Sequence, residues 1–126
     1  MSENQKKRIL VVDDDMGIVR LLEKRLQASG YDVLTANNGM EGVKVAKREN
    51  PDLILLDVIM PLKDGYKVCE ELKKVYKKTI PIIIFTGQPY EKDLINEAYK
   101  EFGADDYVLK PLNIEVLLEK IKKLIE

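Results

Sequence analysis

The chain contains no histidine and no tryptophan. Without imidazole there is no Ser-His-Asp triad, no histidine-ligated metal and no phosphohistidine on this chain. A single cysteine, Cys69, excludes an intrachain disulfide framework and a CxxC metal clip. Only Ser2 and Ser29 could act as serine nucleophiles, and neither sits in a motif. Long apolar runs are also missing. The main ones, at 9–12, 53–56 and 80–85, fall far short of the roughly twenty residues of a membrane-spanning helix. The polar stretch from Met1 to Arg8 does not resemble a signal peptide. Neither sign of charge dominates: 21 Lys and Arg face 22 Asp and Glu, a net charge of −1. That balance argues against a chain that works mainly by coating nucleic acid. A free thiol without an export signal makes a reducing, cytoplasmic setting the expectation.

What is present suits one globular domain. At about 150 residues per domain, a chain of 126 residues leaves no room for a second. The balance of 45% hydrophobic to 34% charged residues is that of a folded chain, not a disordered one. Residues 1–7 are expected to be a flexible N-terminus and 8–126 a single domain. Within it, short apolar runs alternate with helical periodicity. Ile9-Leu10-Val11-Val12 reads as a strand buried on both faces. Ile18, Leu21, Leu22 and Leu26 then mark a helix that Gly30 closes, a residue suited to a left-handed C-cap. Residues 31–36 form a second strand, Asn37-Asn38-Gly39 the turn into a helix bearing Val43 and Ala46, and Asn50-Pro51 its stop. The second half repeats the scheme. Strands at 53–56, 81–85 and 107–109 are followed by helices marked by Val68, Leu72 and Val75, by Leu94, Ala98 and Phe102, and by Val116, Leu117, Ile121, Leu124 and Ile125. Five βα units imply a doubly wound parallel sheet with five helices, in the flavodoxin-like order 2-1-3-4-5.

Ligands of such sheets bind at the carboxyl ends of the strands, beside the switch point between strands 1 and 3. Strand 1 runs into Asp13-Asp14-Asp15, strand 3 into Asp57, strand 4 into Thr86-Gly87 and strand 5 into Lys110-Pro111. Carboxylates converging on one crevice repel one another unless a cation holds them. Oxygen donors without His or Cys select Mg²⁺ or a similar ion, which keeps waters and recruits phosphate oxygens. One carboxylate can then act as a nucleophile toward phosphorus, with Thr86 and Lys110 placed to meet the phosphoryl oxygens.

Each member also has an ordinary explanation. Asp14 is of a type that caps helices, but three consecutive acids cannot all cap one helix. The ordinary explanation of Asp57 is a turn residue, yet Asp64-Gly65 already supplies the turn chemistry. The joint placement is what singles the set out. By contrast, Lys73, Lys74, Lys77 and Lys78 read as a solvated helix face. Cys69 reads as a half-buried apolar residue, and Tyr66, Tyr76 and Tyr99 as packing residues.

These motifs resemble the receiver domain of two-component response regulators, the CheY-like superfamily, over 8–124. The likeness rests on 9–15, on Leu55-Leu56-Asp57 with Met60-Pro61 and Asp64-Gly65, on Phe85-Thr86-Gly87, and on 107–111. It implies that Asp57 is the phosphoacceptor and that Asp13, Asp14, Asp57 and the Ile59 carbonyl bind Mg²⁺ or Mn²⁺. It further implies that Thr86 and Lys110 engage the phosphoryl group, that Thr86 and Tyr107 act as the switch pair, and that Lys110–Pro111 is cis. Gly87 and Ile59 depart from the commonest pattern. The donor would be a sensor histidine kinase or a histidine phosphotransfer protein. The output would be a downstream protein met by the face of the fourth helix, fifth strand and fifth helix, with no role for nucleic acid or membrane in this domain. The domain would be a monomer or a weak, phosphorylation-dependent dimer. It would not be an enzyme beyond self-catalysed, single-turnover phosphotransfer and autodephosphorylation. Two other readings compete: a phosphorylation-independent interaction module on the same fold, and a flavodoxin-like FMN protein, whose phosphate Asp13-Asp14-Asp15 would repel.

Overall fold

A computed structural model of the chain describes residues 6–57, 65–86 and 103–126, with the main chain only at Thr86. Five parallel strands form one sheet: β1 (Arg8–Val12), β2 (Asp32–Ala36), β3 (Leu53–Asp57), β4 (Ile82–Thr86) and β5 (Asp106–Leu109), in the order β2-β1-β3-β4-β5. The reversal of strand order falls between β1 and β3, as the alternating pattern predicts. The helices are α1 (Met16–Ala28), α2 (Gly39–Glu49), α3 (Gly65–Glu70) and a C-terminal helix (Ile114–Ile125). The helix predicted around Leu94, Ala98 and Phe102 lies outside the described residues, as do residues 1–5 of the predicted N-terminal segment.

The continuous apolar runs divide by parity, because successive side chains on a strand point to opposite faces. Leu10, Val12, Ile54, Leu56, Ile82 and Ile84 pack with Val43, Ala46, Val68, Cys69 and Leu72 from α2 and α3 and their extension. Ile9, Val11, Leu53, Leu55, Ile83 and Phe85 pack with Val19, Leu22 and Leu26 of α1 and Leu117 and Ile121 of the C-terminal helix. Two cores therefore flank one sheet. Cys69 is wholly buried in the first, deeper than half-buried as expected.

Local chemistry sets the helix ends. The Asp15 carboxylate accepts N–H bonds from Gly17 and Ile18 and caps α1. Asn38 caps α2 by accepting the Glu41 N–H, and Asn50, at φ 46°, ends it in the left-handed region. Gly30 follows α1 at φ 97°, the conformation that called for glycine there. Three expectations need correction. Leu21, Val75 and Val116 fit the apolar helical stripes but are 48%, 66% and 40% exposed, and Val19 takes the buried position on α1. Leu21 and Val116 each directly precede a buried residue, Leu22 and Leu117, and so turn about 100° away from the buried side, while Val75 lies in π-helical turns that break the α-helical period. Tyr76, expected to pack inside, is 40% exposed. The third helix also changes character, passing into π-helical turns over Glu71–Val75.

Candidate functional site

Asp13 follows directly on β1. Its N–H donates to the Ala36 carbonyl at 3.1 Å, which extends the β1–β2 ladder by one residue and fixes the side chain at the carboxyl edge of the sheet. Asp13 is 0% exposed and Asp57, the last residue of β3, is 5% exposed; they are the buried polar residues among those described. Asp14 is exposed, and Asp15 rather than Asp14 takes the capping role. Carboxylate oxygens of Asp13, Asp14 and Asp57 lie within 4.8 Å of one another.

Lys110, just past β5, reaches into this cluster. Its Nζ lies 3.7 Å from Asp13 Oδ2 and 3.6 Å from Asp57 Oδ2, and 5.0 Å from the centroid of the Phe85 ring. These separations are those of ion pairs, longer than a hydrogen bond. The two oxygens of Asp13 fare differently. Oδ1 accepts the Asp15 N–H at 2.9 Å, whereas Oδ2 is buried without a hydrogen-bond partner among the described residues. A buried anionic oxygen that accepts no hydrogen bond, with only a distant ammonium opposite, is costly. Burial accordingly pushes the Asp13 carboxyl up to about 6, with the neighbouring Asp57 adding to the rise, against the opposing pull of the Asp15 N–H and the Lys110 ammonium. One lysine at this distance does not compensate the cluster. The orphaned oxygen, the like charges and the all-oxygen donor set fit a hard divalent cation.

The structure thus brings Asp13, Asp14, Asp57 and Lys110 together as the sequence suggested. Thr86 ends β4 opposite Leu109, one position beyond the Asp57–Phe85 pair, so its main chain stands at the same edge. Tyr107 is half-buried on β5, packs against the α2–α3 side of the sheet and donates its N–H to Asp106 Oδ1 at 2.7 Å. The Ile59 carbonyl lies outside the described residues. The Lys110–Pro111 bond is cis, in agreement with the resemblance. Sequence reasoning places Phe85 in the Phe85-Thr86-Gly87 motif but gives it no part in the site; its ring borders the Lys110 ammonium, a contact between distant segments that no local pattern signals.

Fold and crevice together define a class: a flavodoxin-like α/β domain with an acidic, cation-ready site at the switch point of its sheet. Comparison with known proteins makes the class specific. Residues 9–122 match the family model described as the response regulator receiver domain, and the chain belongs to that family. It is 47% identical over 123 residues to the probable transcriptional regulator ycf27 of Pyropia yezoensis, covering 98% of this chain and 49% of that protein. Against the alkaline phosphatase synthesis transcriptional regulatory protein PhoP of Bacillus subtilis (strain 168), identity is 44% over 119 residues, covering 94% and 48%. The chain spans about half the length of the curated relatives it matches. Among solved structures, the Francisella response regulator 1452 receiver domain superposes with a TM-score of 0.87 at 30% identity, covering 95% of this chain and 97% of that one. The Thermotoga maritima response regulator TrrA, solved in complex with Mg²⁺-BeF, gives a TM-score of 0.80 at 44% identity, covering 94% and 98%. No helix among the described residues is long and apolar enough to cross a membrane.

Proposed function

We propose that Asp57 accepts a phosphoryl group from a phosphohistidine on a sensor kinase or phosphotransfer protein and that this switches the domain's output surface. The observation that carries the proposal is the position of Asp57: a nearly buried carboxylate ending a central strand, beside two further carboxylates and 3.6 Å from an ammonium. A carboxylate oxygen of Asp57 attacks phosphorus, an oxygen–phosphorus bond forms, and the nitrogen–phosphorus bond to the donor imidazole breaks. Asp13, Asp14 and Asp57, with the Ile59 carbonyl, would hold Mg²⁺ or Mn²⁺. When bound, that ion neutralises the carboxylate cluster and the charge of the transferring group.

The chain's own residues do the remaining work. Asp13 is fixed by the Asp15 N–H and the Ala36 carbonyl, which leaves Oδ2 in the crevice beside Lys110. Lys110 is held over Phe85 between the two buried acids and supplies a charge-assisted bond to the phosphoryl oxygens. Thr86, whose main chain ends β4 at the same edge, would donate its hydroxyl, and Tyr107, on the next strand, would report the change. The affected surface would comprise the fourth helix, β5 and the C-terminal helix, where a downstream protein is met, through a shift between pre-existing states. The unit would be the domain 8–126 with five helices, cytoplasmic, monomeric or weakly dimeric when phosphorylated, and without turnover of a metabolic substrate.

The test uses a small acyl phosphate as donor, with either Mg²⁺ or a chelator. Incorporation of one base-labile phosphoryl group that needs the divalent ion is the expected result. No incorporation in either condition would favour a phosphorylation-independent interaction module.

A further inference from the structure

Outside the acidic crevice, α2 and the end of α3 enclose a groove of about 240 Å³ lined by Met40, Val43, Lys44, Lys47, Glu71 and Tyr76. We propose that this groove docks an acidic polypeptide segment carrying one apolar anchor side chain.

Two features of the groove point to a polypeptide. First, its walls expose apolar surface that the fold leaves uncovered: Met40 is 47% and Tyr76 40% exposed, and the adjoining Val75 is 66% exposed. Buried in a contact, side chains of this kind are the usual anchors of protein recognition. Second, the rim is cationic. Lys44 and Lys47 are exposed on α2 and form no ion pair with a described residue, and the Lys47 ammonium sits 4.1 Å from the centroid of the Tyr76 ring. That ammonium is held by an aromatic face, so it remains available to a carboxylate.

The neighbouring lysine run does not dilute this pattern. Lys73 pairs with Asp105 at 3.1 Å, Lys74 with Glu70 at 3.7 Å, and Lys78 donates to Asn50 Oδ1 at 2.6 Å. Much of that run is thus engaged within the fold, and the cationic character at the groove comes from α2.

The lining favours a polypeptide over a polyphosphate chain. Met40, Val43 and Tyr76 present apolar surface that a line of phosphates cannot use, whereas a polypeptide seats one apolar side chain there and sets carboxylates at Lys44 and Lys47. Concavity, apolar walls and two cations at three-residue spacing match a short acidic segment with one inserted side chain.

The experiment follows amide NMR shifts of the full, unphosphorylated chain during titration with a synthetic Asp/Glu-rich peptide bearing a single central leucine. Saturable shifts centred on Met40, Lys44, Lys47 and Tyr76 are expected, and they should weaken as salt rises. Replacing the leucine by serine, or combining Lys44→Glu with Lys47→Glu, should reduce affinity at least tenfold. Lys44→Gln with Lys47→Gln, which removes charge without adding any, should give an intermediate loss with the spectrum otherwise unchanged. Binding should persist in Asp57→Asn, since the groove does not depend on the acidic crevice. The proposal is overturned if the peptide leaves these residues unmoved or charge reversal leaves affinity intact. It is also overturned if a single-stranded oligonucleotide or phosphatidylglycerol vesicles shift the same residues more strongly than the peptide.

Discussion

Replacing Asp13 by asparagine should make the metal-free protein more stable while removing its response to metal. Asp13 Oδ2 is buried without a hydrogen-bond partner among the described residues, and the carboxyl is pushed up to about 6 from 3.8. At 1.36 kcal/mol per pH unit, ionising it in the folded state costs at most about 3 kcal/mol. Asparagine keeps the acceptor for the Asp15 N–H, now at 2.9 Å, and deletes the charge. The pull of Lys110 is already contained in that figure; part of the gain is offset because the amide that replaces the carboxylate sets a donor, not an acceptor, 3.7 Å from the Lys110 ammonium. A net stabilisation of about 1–2 kcal/mol remains, roughly 3–10 °C in Tm for a domain of this size.

The sign of the pH dependence follows from the raised folded-state value. The protonated Asp13 contributes stability below about 3.8 that is lost as pH rises through about 6. The variant's advantage should therefore open between those values and then stay level. Divalent ion at about a hundred times its dissociation constant should return about 2.7 kcal/mol to the parent and much less to the variant. Thermal unfolding at pH 4 and pH 8, with Mg²⁺ or with a chelator, measures all of these differences. A variant no more stable than the parent at pH 8 without metal, or one that gains as much from Mg²⁺, would refute the reasoning.

Three further outcomes are expected. Gly42→Ala places a Cβ 3.0 Å from Val12 Cγ1 and 3.1 Å from Cγ2; overpacking should outweigh the gain in helix propensity and cost about 1 kcal/mol in denaturant unfolding, with a smaller penalty in a Val12→Ala background. Lys110→Ala should preserve metal binding yet blunt the phosphorylation-dependent NMR shifts around Tyr107; unchanged shifts would remove Lys110 from the coupling. The receiver-domain resemblance implies that the side chain two residues after Asp57 borders the approach of an attacking water; Ile59→Asn would then supply a group that orients it, so phosphate should be lost about ten- to thirty-fold faster with Mg²⁺ saturating, and an unchanged or slower rate would show that residue 59 does not set the lifetime.

The sheet was legible because its strands are short, apolar and punctuated by Gly, Pro and Asn, and because each of Asp13, Asp57, Thr86 and Lys110 ends such a strand. Local patterns of that kind need only the chain's own period. Features made between distant segments were not legible. Which of Asp13, Asp14 and Asp15 caps α1 depends on the turn geometry that buries Asp13 and exposes Asp14. Leu21, Val75 and Val116 fit a helical stripe but are exposed. The ring of Phe85 beneath Lys110, the Lys47–Tyr76 contact and the bond from the Tyr31 hydroxyl to Glu126 join residues far apart in sequence. Lys73 and Lys78 looked like parts of one solvated face, yet they reach across to Asp105 and Asn50.

The most direct measurement of the central claim is to map the phosphoryl group after reaction with a small acyl phosphate and Mg²⁺, by mass spectrometry of the intact chain and its peptides. One phosphoryl group on the peptide containing Asp57 in the parent, and none in a folded Asp57→Asn variant, is the predicted result. Full labelling of Asp57→Asn, or a label on another residue of the parent, would contradict the assignment of Asp57 as the acceptor.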